Sequence, residues 1–251
     1  MNPIGTETAL ATFVLFCRIG GCLMLMPGIS SPRVPVQIRL FLAIAVTLAV
    51  TPLLLPSAET RLAGRPPHAI PGVIVGEIAI GALIGLAGRL YFAALEFMAT
   101  SVAMYVGYGN IPGVPIEETE PLPAVATLLT TSATVLFFLT NQHTEVLRAL
   151  LEVYAALPVA EALSVELGLT KLTRVLSDAF VLTLQITSPF LLYAILINMM
   201  FGLANKLVPQ IPVFFISVPF VVAGGLLLLY LTLADVLRLF ISGFSSWLAT
   251  L

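Results

Sequence analysis

Long uncharged runs dominate the pattern of this chain. Leu40–Ala58, Pro121–Gln142, Ala179–Asn205 and Ile211–Ala234 each hold about the 20 residues that carry a helix across a hydrocarbon core. Thr8–Met26 joins them if Arg18 is tolerated within a span. Another apolar stretch runs from Ile70 to Tyr108, interrupted by Glu77, Arg89 and Glu96. These six long elements predict an all-α, membrane-associated fold, with weaker amphipathic pieces near Glu145–Leu157 and Asp235–Leu248. The expected organisation is one integral-membrane unit over 1–251. It has N-terminal helices to 106, a Gly/Pro/Glu loop over 107–123 and C-terminal helices over 124–251.

Two features depart from plain bilayer spans. Gly72–Ile111 contains no proline, and one helix over that length would reach roughly 60 Å against a hydrocarbon core of about 30 Å. The basic residues also lack sidedness. Arg33 and Arg39 share one loop, Arg61 and Arg65 the next, Arg148, Lys171 and Arg174 another, and Lys206 stands in a further one. The usual excess on alternate loops is missing.

Composition sharpens this picture. The chain is 59% hydrophobic and 10% charged, with a mean hydropathy of +1.07. A soluble domain carries roughly 25% charged residues, so most of this exterior must face lipid or apolar protein. A net charge of -2 argues against nucleic acid as a partner. The opening residues lack a basic leader, and the first charge is Glu7, so a cleaved signal peptide is not expected.

Catalytic chemistry finds no support. Cys17 and Cys22 lie five apart, off a common helical face, and are read as packing residues. Two histidines, His68 and His143, are too few for a histidine-based metal site. No CxxC, HExxH, phosphate-binding loop, GxSxG or dinucleotide fingerprint occurs. No catalytic, cofactor or metal residues are therefore assigned, and no cofactor is expected.

Other residues stand out for packing or gating. Gly81 and Gly85 form a small-xxx-small pair, which serves either packing within the chain or a contact between subunits. Arg89 and Glu96, seven apart, share a helical face and should meet protein or a polar cavity rather than lipid. Glu77 is read either as a charge near a helix start or as one half of an intersubunit ion pair. The segment Gly107–Pro123 changes character, with Gly107, Gly109, Asn110, Pro112, Gly113 and Pro115 followed by Glu117, Glu118 and Glu120. It is either a solvated connector or a mobile flap beside a conduit. Met104, next to it, reads most plainly as core packing. Pro209, Pro212 and Pro219, in a segment with Gln210 and Phe214, leave two readings open: a surface turn between two membrane helices, or a deliberate break inside a helical assembly.

In order and spacing these motifs resemble the FliR/SpaR/YscT family of export-gate components from flagellar and related type III secretion systems. "NKLVPQIPVFFISVPF" is similar to the family's proline–glutamine signature through Pro209, Gln210, Val213, Phe214 and Pro219. Arg18, Pro27, Pro35 and Arg39 follow its opening pattern, with Pro52 closing the next element. Glu77, Gly81 and Gly85 match its glutamate-led glycine helix, and His143 and Pro158 a later segment. Gln142 stands where the family commonly has glycine, and the central loop is unusually acidic.

The resemblance implies proline-broken helical hairpins that complete a hetero-oligomeric helical ring with FliP-like and FliQ-like subunits, beside FlhB-like and FlhA-like proteins. It places the chain at the bacterial inner membrane, in a flagellar basal body, partly raised above the bilayer and in contact with lipid. It implies a non-enzymatic, gated passage for unfolded export substrates, with Gly107–Pro121 as a plug and Met104 in a gasket. Arg18, Arg39, Glu77, Gly81, Gly85, Arg89 and Glu96 become candidates for contacts between subunits. The flagellar reading is preferred to its injectisome counterpart. A secondary transporter built around Gln185, Pro189, Asn198 and Asn205, with Asp178 at the edge, is the alternative from another class.

Overall fold

The computed structural model describes residues 5–31, 34–109, 122–161, 165–207, 210 and 213–250, and every long element among them is an α-helix. In chain order these are α1 (Thr6–Leu25), α2 (Val36–Leu62), α3 (Ile70–Tyr105), α4 (Ala124–Leu139), α5 (Gln142–Ala156), α6 (Val165–Leu207) and α7 (Val213–Leu248). A short 3-10 turn, Pro67–Ala69, precedes α3. Among the described residues, five helices are long and apolar enough to cross a membrane, or up to six if the bent pair α4 and α5 counts as one span. The all-α expectation therefore stands, with five or six candidate membrane helices among the described residues.

Element boundaries differ from the uncharged runs, because helical hydrogen bonding continues through isolated charges. The 36 residues of α3 form one helix about 54 Å long. The 43 residues of α6 begin well before Ala179 and take in Glu166, Lys171, Arg174 and Asp178. The expected separate piece Asp235–Leu248 is the end of α7. Conversely, Pro121–Gln142 is not one span: α4 has 16 residues and stops before Asn141, whose left-handed φ of 56° interrupts the helix ahead of α5.

Interior prolines do not break these helices, which corrects the expectation at Pro52 and Pro219, although α6 and α7 are separate helices that end at Leu207 and start at Val213. Pro52 and Pro56 lie inside α2, so Pro52 does not close it; Pro189 lies inside α6 and Pro219 inside α7. Proline removes the donor to the carbonyl four residues earlier. At Pro189 that carbonyl belongs to Gln185, and the Ser188 hydroxyl donates to it at 2.8 Å. A local hydroxyl thus replaces the missing backbone bond.

The chain divides into two compact units. The first comprises Met1–Tyr91, Asn141–Ser177 and Ser246–Leu251. Its core forms around α1, whose Val14, Leu15, Ile19, Cys22 and Leu23 are buried. The expectation that both cysteines pack inside is met, since Cys17 is buried too and both are free thiols. By contrast α2 leaves Val36, Ile38, Phe41, Leu48 and Leu53 exposed.

The second unit comprises Phe92–Thr140 and Asp178–Ser245. Its core centres on an aromatic cluster in which Phe92 meets Phe137, Phe240 and Phe244 edge-to-face, with centroids 5.9, 5.1 and 6.0 Å away. Each such pair contributes about 0.5–1.5 kcal/mol beyond its buried area. Tyr193 on α6 donates its hydroxyl to the Val221 carbonyl of α7 at 2.7 Å. Alongside, a side chain at Gly225 would meet the Val106 Cα at 2.8 Å, so only glycine fits this approach. Much of α6 faces outward here, with Leu192, Ile195, Leu196, Met199 and Leu203 exposed.

Candidate functional site

The polar centre of the first unit is a clasp built on Arg18 of α1. Its side chain is 0% exposed, and that of Glu77 on α3 is 1% exposed. Arg18 Nε donates to Glu77 Oε2 at 2.6 Å and Nη2 donates to Oε1 at 3.0 Å, a two-point fork. Arg18 Nη1 donates to the Leu157 carbonyl at 2.7 Å. Glu77 Oε1 also accepts the Ala160 N–H at 2.9 Å. The Tyr154 ring of α5 lies under the guanidinium, 4.1 Å from its carbon. Three helices and the turn after α5 thus share one neutral, hydrogen-bonded knot.

That knot corrects two expectations. Glu77 is the eighth residue of α3, two turns inside it, so it does not serve as a helix-start charge. Its partner, Arg18, lies in the same chain, so neither residue is free to pair across a subunit boundary. Burying either charge alone would cost several kcal/mol, which is why they are found together.

The turn that the clasp grips is itself strained. Glu161 N–H donates to the Pro158 carbonyl at 3.3 Å, and Ala160 between them adopts φ 64°. A left-handed residue at that place in a turn favours glycine. Outside the clasp, Arg65 Nη2 donates to the Ala160 carbonyl at 3.0 Å, and Arg61 pairs with Glu161 at 3.5 Å.

Beside the clasp, α1 and α3 cross at backbone contact. A Cβ at Gly81 would collide with the Arg18 carbonyl, and one at Gly85 with the Cys22 carbonyl. Reciprocally, a Cβ at Gly21 would lie 2.8 Å from the Ile78 carbonyl. The Gly81/Gly85 pair therefore packs within the chain, and the intersubunit alternative is set aside. Arg39 also binds locally, donating to the Val34 and Ser31 carbonyls at 2.9 and 2.8 Å. Arg89 and Glu96 are exposed on α3.

At the other candidate feature, Gly107 ends α3. Its φ is +84°, its N–H donates to the Met104 carbonyl at 3.1 Å, and the Tyr108 N–H donates to the Ala103 carbonyl at 2.8 Å. These two bonds satisfy the last carbonyls in a Schellman cap, and the positive φ calls for glycine. Gly109 sits against Met104, where a Cβ would be 3.1 Å from its Cγ. Met104 is 64% exposed, so the core-packing reading for it fails within this chain. Asn110, Pro112, Gly113, Pro115, Glu117, Glu118 and Glu120 lie outside the described residues.

Around the proline segment, α6 ends at Leu207 and α7 starts at Val213. Pro209 and Pro212 lie outside the described residues, and Gln210 is exposed between them. Phe214 and Pro219 belong to α7, so any break is shorter than the sequence pattern implied. The transporter alternative needs an interrupted helix around Pro189, whereas α6 is continuous there. Asn198 spends its amide on the Ala194 carbonyl of its own helix at 2.7 Å. Among the described residues no group of three or more His, Cys, Asp or Glu is placed to hold a metal.

Sequence reasoning missed Tyr154, Arg65 and the turn carbonyls. Tyr154 carried a faint signal as the aromatic on the apolar face of an amphipathic helix; backbone acceptors carry none.

Comparison with known proteins gives this architecture its relatives. The chain is 26% identical over 240 residues to the flagellar biosynthetic protein FliR of Caulobacter vibrioides, covering 94% of each. It is 27% identical over 244 residues to the protein of that name from Aquifex aeolicus, covering 93% of this chain and 89% of the relative. Against that of Escherichia coli the identity is 23% over 219 residues, covering 84% and 80%. The family model for bacterial export proteins, family 1, matches residues 9–247, and the chain belongs to that family.

Proposed function

We propose that this chain is a structural and gating subunit of the type III protein export channel that builds the bacterial flagellum. The observation that carries this reading is the family match over residues 9–247, joined by relatives that are flagellar biosynthetic proteins. The physical features agree with it. A chain whose central charges are buried as a closed pair, and whose helices expose long apolar faces, is built to lie against lipid and other apolar subunits. FliP-like and FliQ-like proteins are the proposed neighbours in the ring, with FlhB-like and FlhA-like proteins nearby. The location is the inner membrane within the basal body, and the cargo is unfolded flagellar protein.

In this reading the cap at Gly107 fixes where α3 stops and the segment after it begins. That segment closes the pore at rest, and exposed Met104 gives the closure a soft apolar surface. A resting pore must exclude ions, because a leak would collapse the proton-motive force.

The test is deletion and complementation in a motile host. Loss of secreted flagellar protein and of motility, restored by the wild-type chain, is the expected result. Normal flagella after deletion would refute the assignment.

A further inference from the structure

Two glycine stripes lie on opposite faces of α3. Gly81 and Gly85 are filled by α1, as described. Gly72 and Gly76 face the other way, and a Cβ added at either would meet nothing within 4 Å. Together with Ala79, Leu83 and Leu86 they floor an open cavity of 630 Å³ in the first unit. Gly168 and Leu169 of α6 form part of its wall.

The groove has a charged mouth and an apolar body. Arg65, at the mouth, makes its two hydrogen bonds to backbone carbonyls of Arg61 and Ala160, so no carboxylate neutralises it there. Arg61 pairs with Glu161, the outer of the two carboxylates among the described lining residues, at 3.5 Å with both side chains about half exposed. Glu77, deeper in the wall, is already neutralised by Arg18. With Glu161 paired to Arg61, which stands outside the lining, Arg65 is the charge at the mouth left without a carboxylate partner among the described residues. From Gly72 to Leu86 the floor descends about 21 Å along the helix.

Dimensions choose the occupant. Spread along about 21 Å, 630 Å³ gives a mean cross-section of roughly 30 Å². A helix, about 10–12 Å across, could lie over such a groove but not sink into it. A single hydrocarbon chain, whose carbons rest about 4 Å from their neighbours, fits. A cation fixed at the polar end of a narrow apolar channel, in a chain with membrane-spanning helices, matches a lipid whose headgroup is anionic.

We propose that this groove binds one anionic phospholipid, its phosphate at Arg65 and one acyl chain along Gly72, Gly76, Ala79, Leu83 and Leu86. The site stands apart from the export reading and would hold whether or not the chain gates a pore.

The test is native mass spectrometry of the full-length chain, with any subunits that co-purify, in detergent with added phosphatidylglycerol or phosphatidylcholine. The wild type should retain one phosphatidylglycerol, preferred over phosphatidylcholine by about five- to tenfold. Arg65→Gln should abolish the preference while leaving acyl-chain binding. Gly76→Leu, which the open space tolerates, should abolish retention of both lipids, and Gly76→Ala should reduce it. Excess inorganic phosphate should not displace the lipid, because the apolar channel supplies most of the affinity. The proposal is overturned if Gly76→Leu retains lipid like the wild type, or if inorganic phosphate displaces it. It is also overturned if the groove holds no lipid and Gly76→Leu instead releases a co-purifying subunit, which would make it a protein contact.

Discussion

Glu77→Gln isolates the energetic core of the first unit. The substitution keeps the shape of the side chain and removes its charge, leaving the Arg18 guanidinium buried at 0% exposure without a counter-ion. Of the two Arg18–Glu77 bonds, at 2.6 and 3.0 Å, the amide can accept one at most, because its NH2 group now faces a donor. The Tyr154 ring still attracts the cation, by up to about 2 kcal/mol when desolvated. Breaking a buried pair from one side costs about 3–5 kcal/mol, a large part of the 5–15 kcal/mol that holds a typical fold. For a chain of this size that shift lowers the unfolding midpoint by about 10 °C.

The assay is thermal unfolding of the detergent-solubilised full-length chain, beside its abundance in membranes. Arg18→Met with Glu77→Met supplies the control. Replacing both charges with apolar groups of similar length should recover most of the loss, because no uncompensated ion remains. An unshifted midpoint in Glu77→Gln, or a double variant as unstable as either single one, would refute the clasp.

Further outcomes follow from the same geometry. Gly81→Leu should abolish stable accumulation, since any side chain there strikes the α1 backbone, whereas Gly76→Ala should accumulate normally; membrane immunoblots separate the two. Ala160→Gly should raise the unfolding midpoint, because glycine removes about 1 kcal/mol of left-handed strain while keeping both backbone bonds of the turn. Met104→Ala should leave the midpoint unchanged, within about 0.5 kcal/mol, as expected for a side chain 64% exposed. Deleting Asn110–Glu120 should make cells leak small ions while export persists, as read by ion-flux and secretion assays; unchanged permeability would remove the plug role.

Much of the helical layout was legible. Uncharged runs of span length announced α2, α6 and α7, an apolar run carrying Arg18 announced α1, and the glycines at 81 and 85 announced a close helix crossing. The partner in that crossing was not legible, because small-residue spacing says that something approaches and not what. Nor were the true helix lengths. Charges such as Lys171 and Asp235 look like span ends, yet a helix carries them whenever their side chains reach a polar surface. Prolines misled similarly at 52 and 219, where the helix continues through each. The clasp was hidden most deeply. Arg18 and Glu77 are 59 residues apart, and two of their partners are backbone groups at Leu157 and Ala160 that no residue type signals.

A subunit census of the complex extracted in mild detergent tests the export-channel assignment most directly. Sizing combined with mass spectrometry should find this chain in a large particle at a fixed ratio to FliP-like and FliQ-like proteins. A stable, lipid-solvated monomer that holds none of them would contradict it.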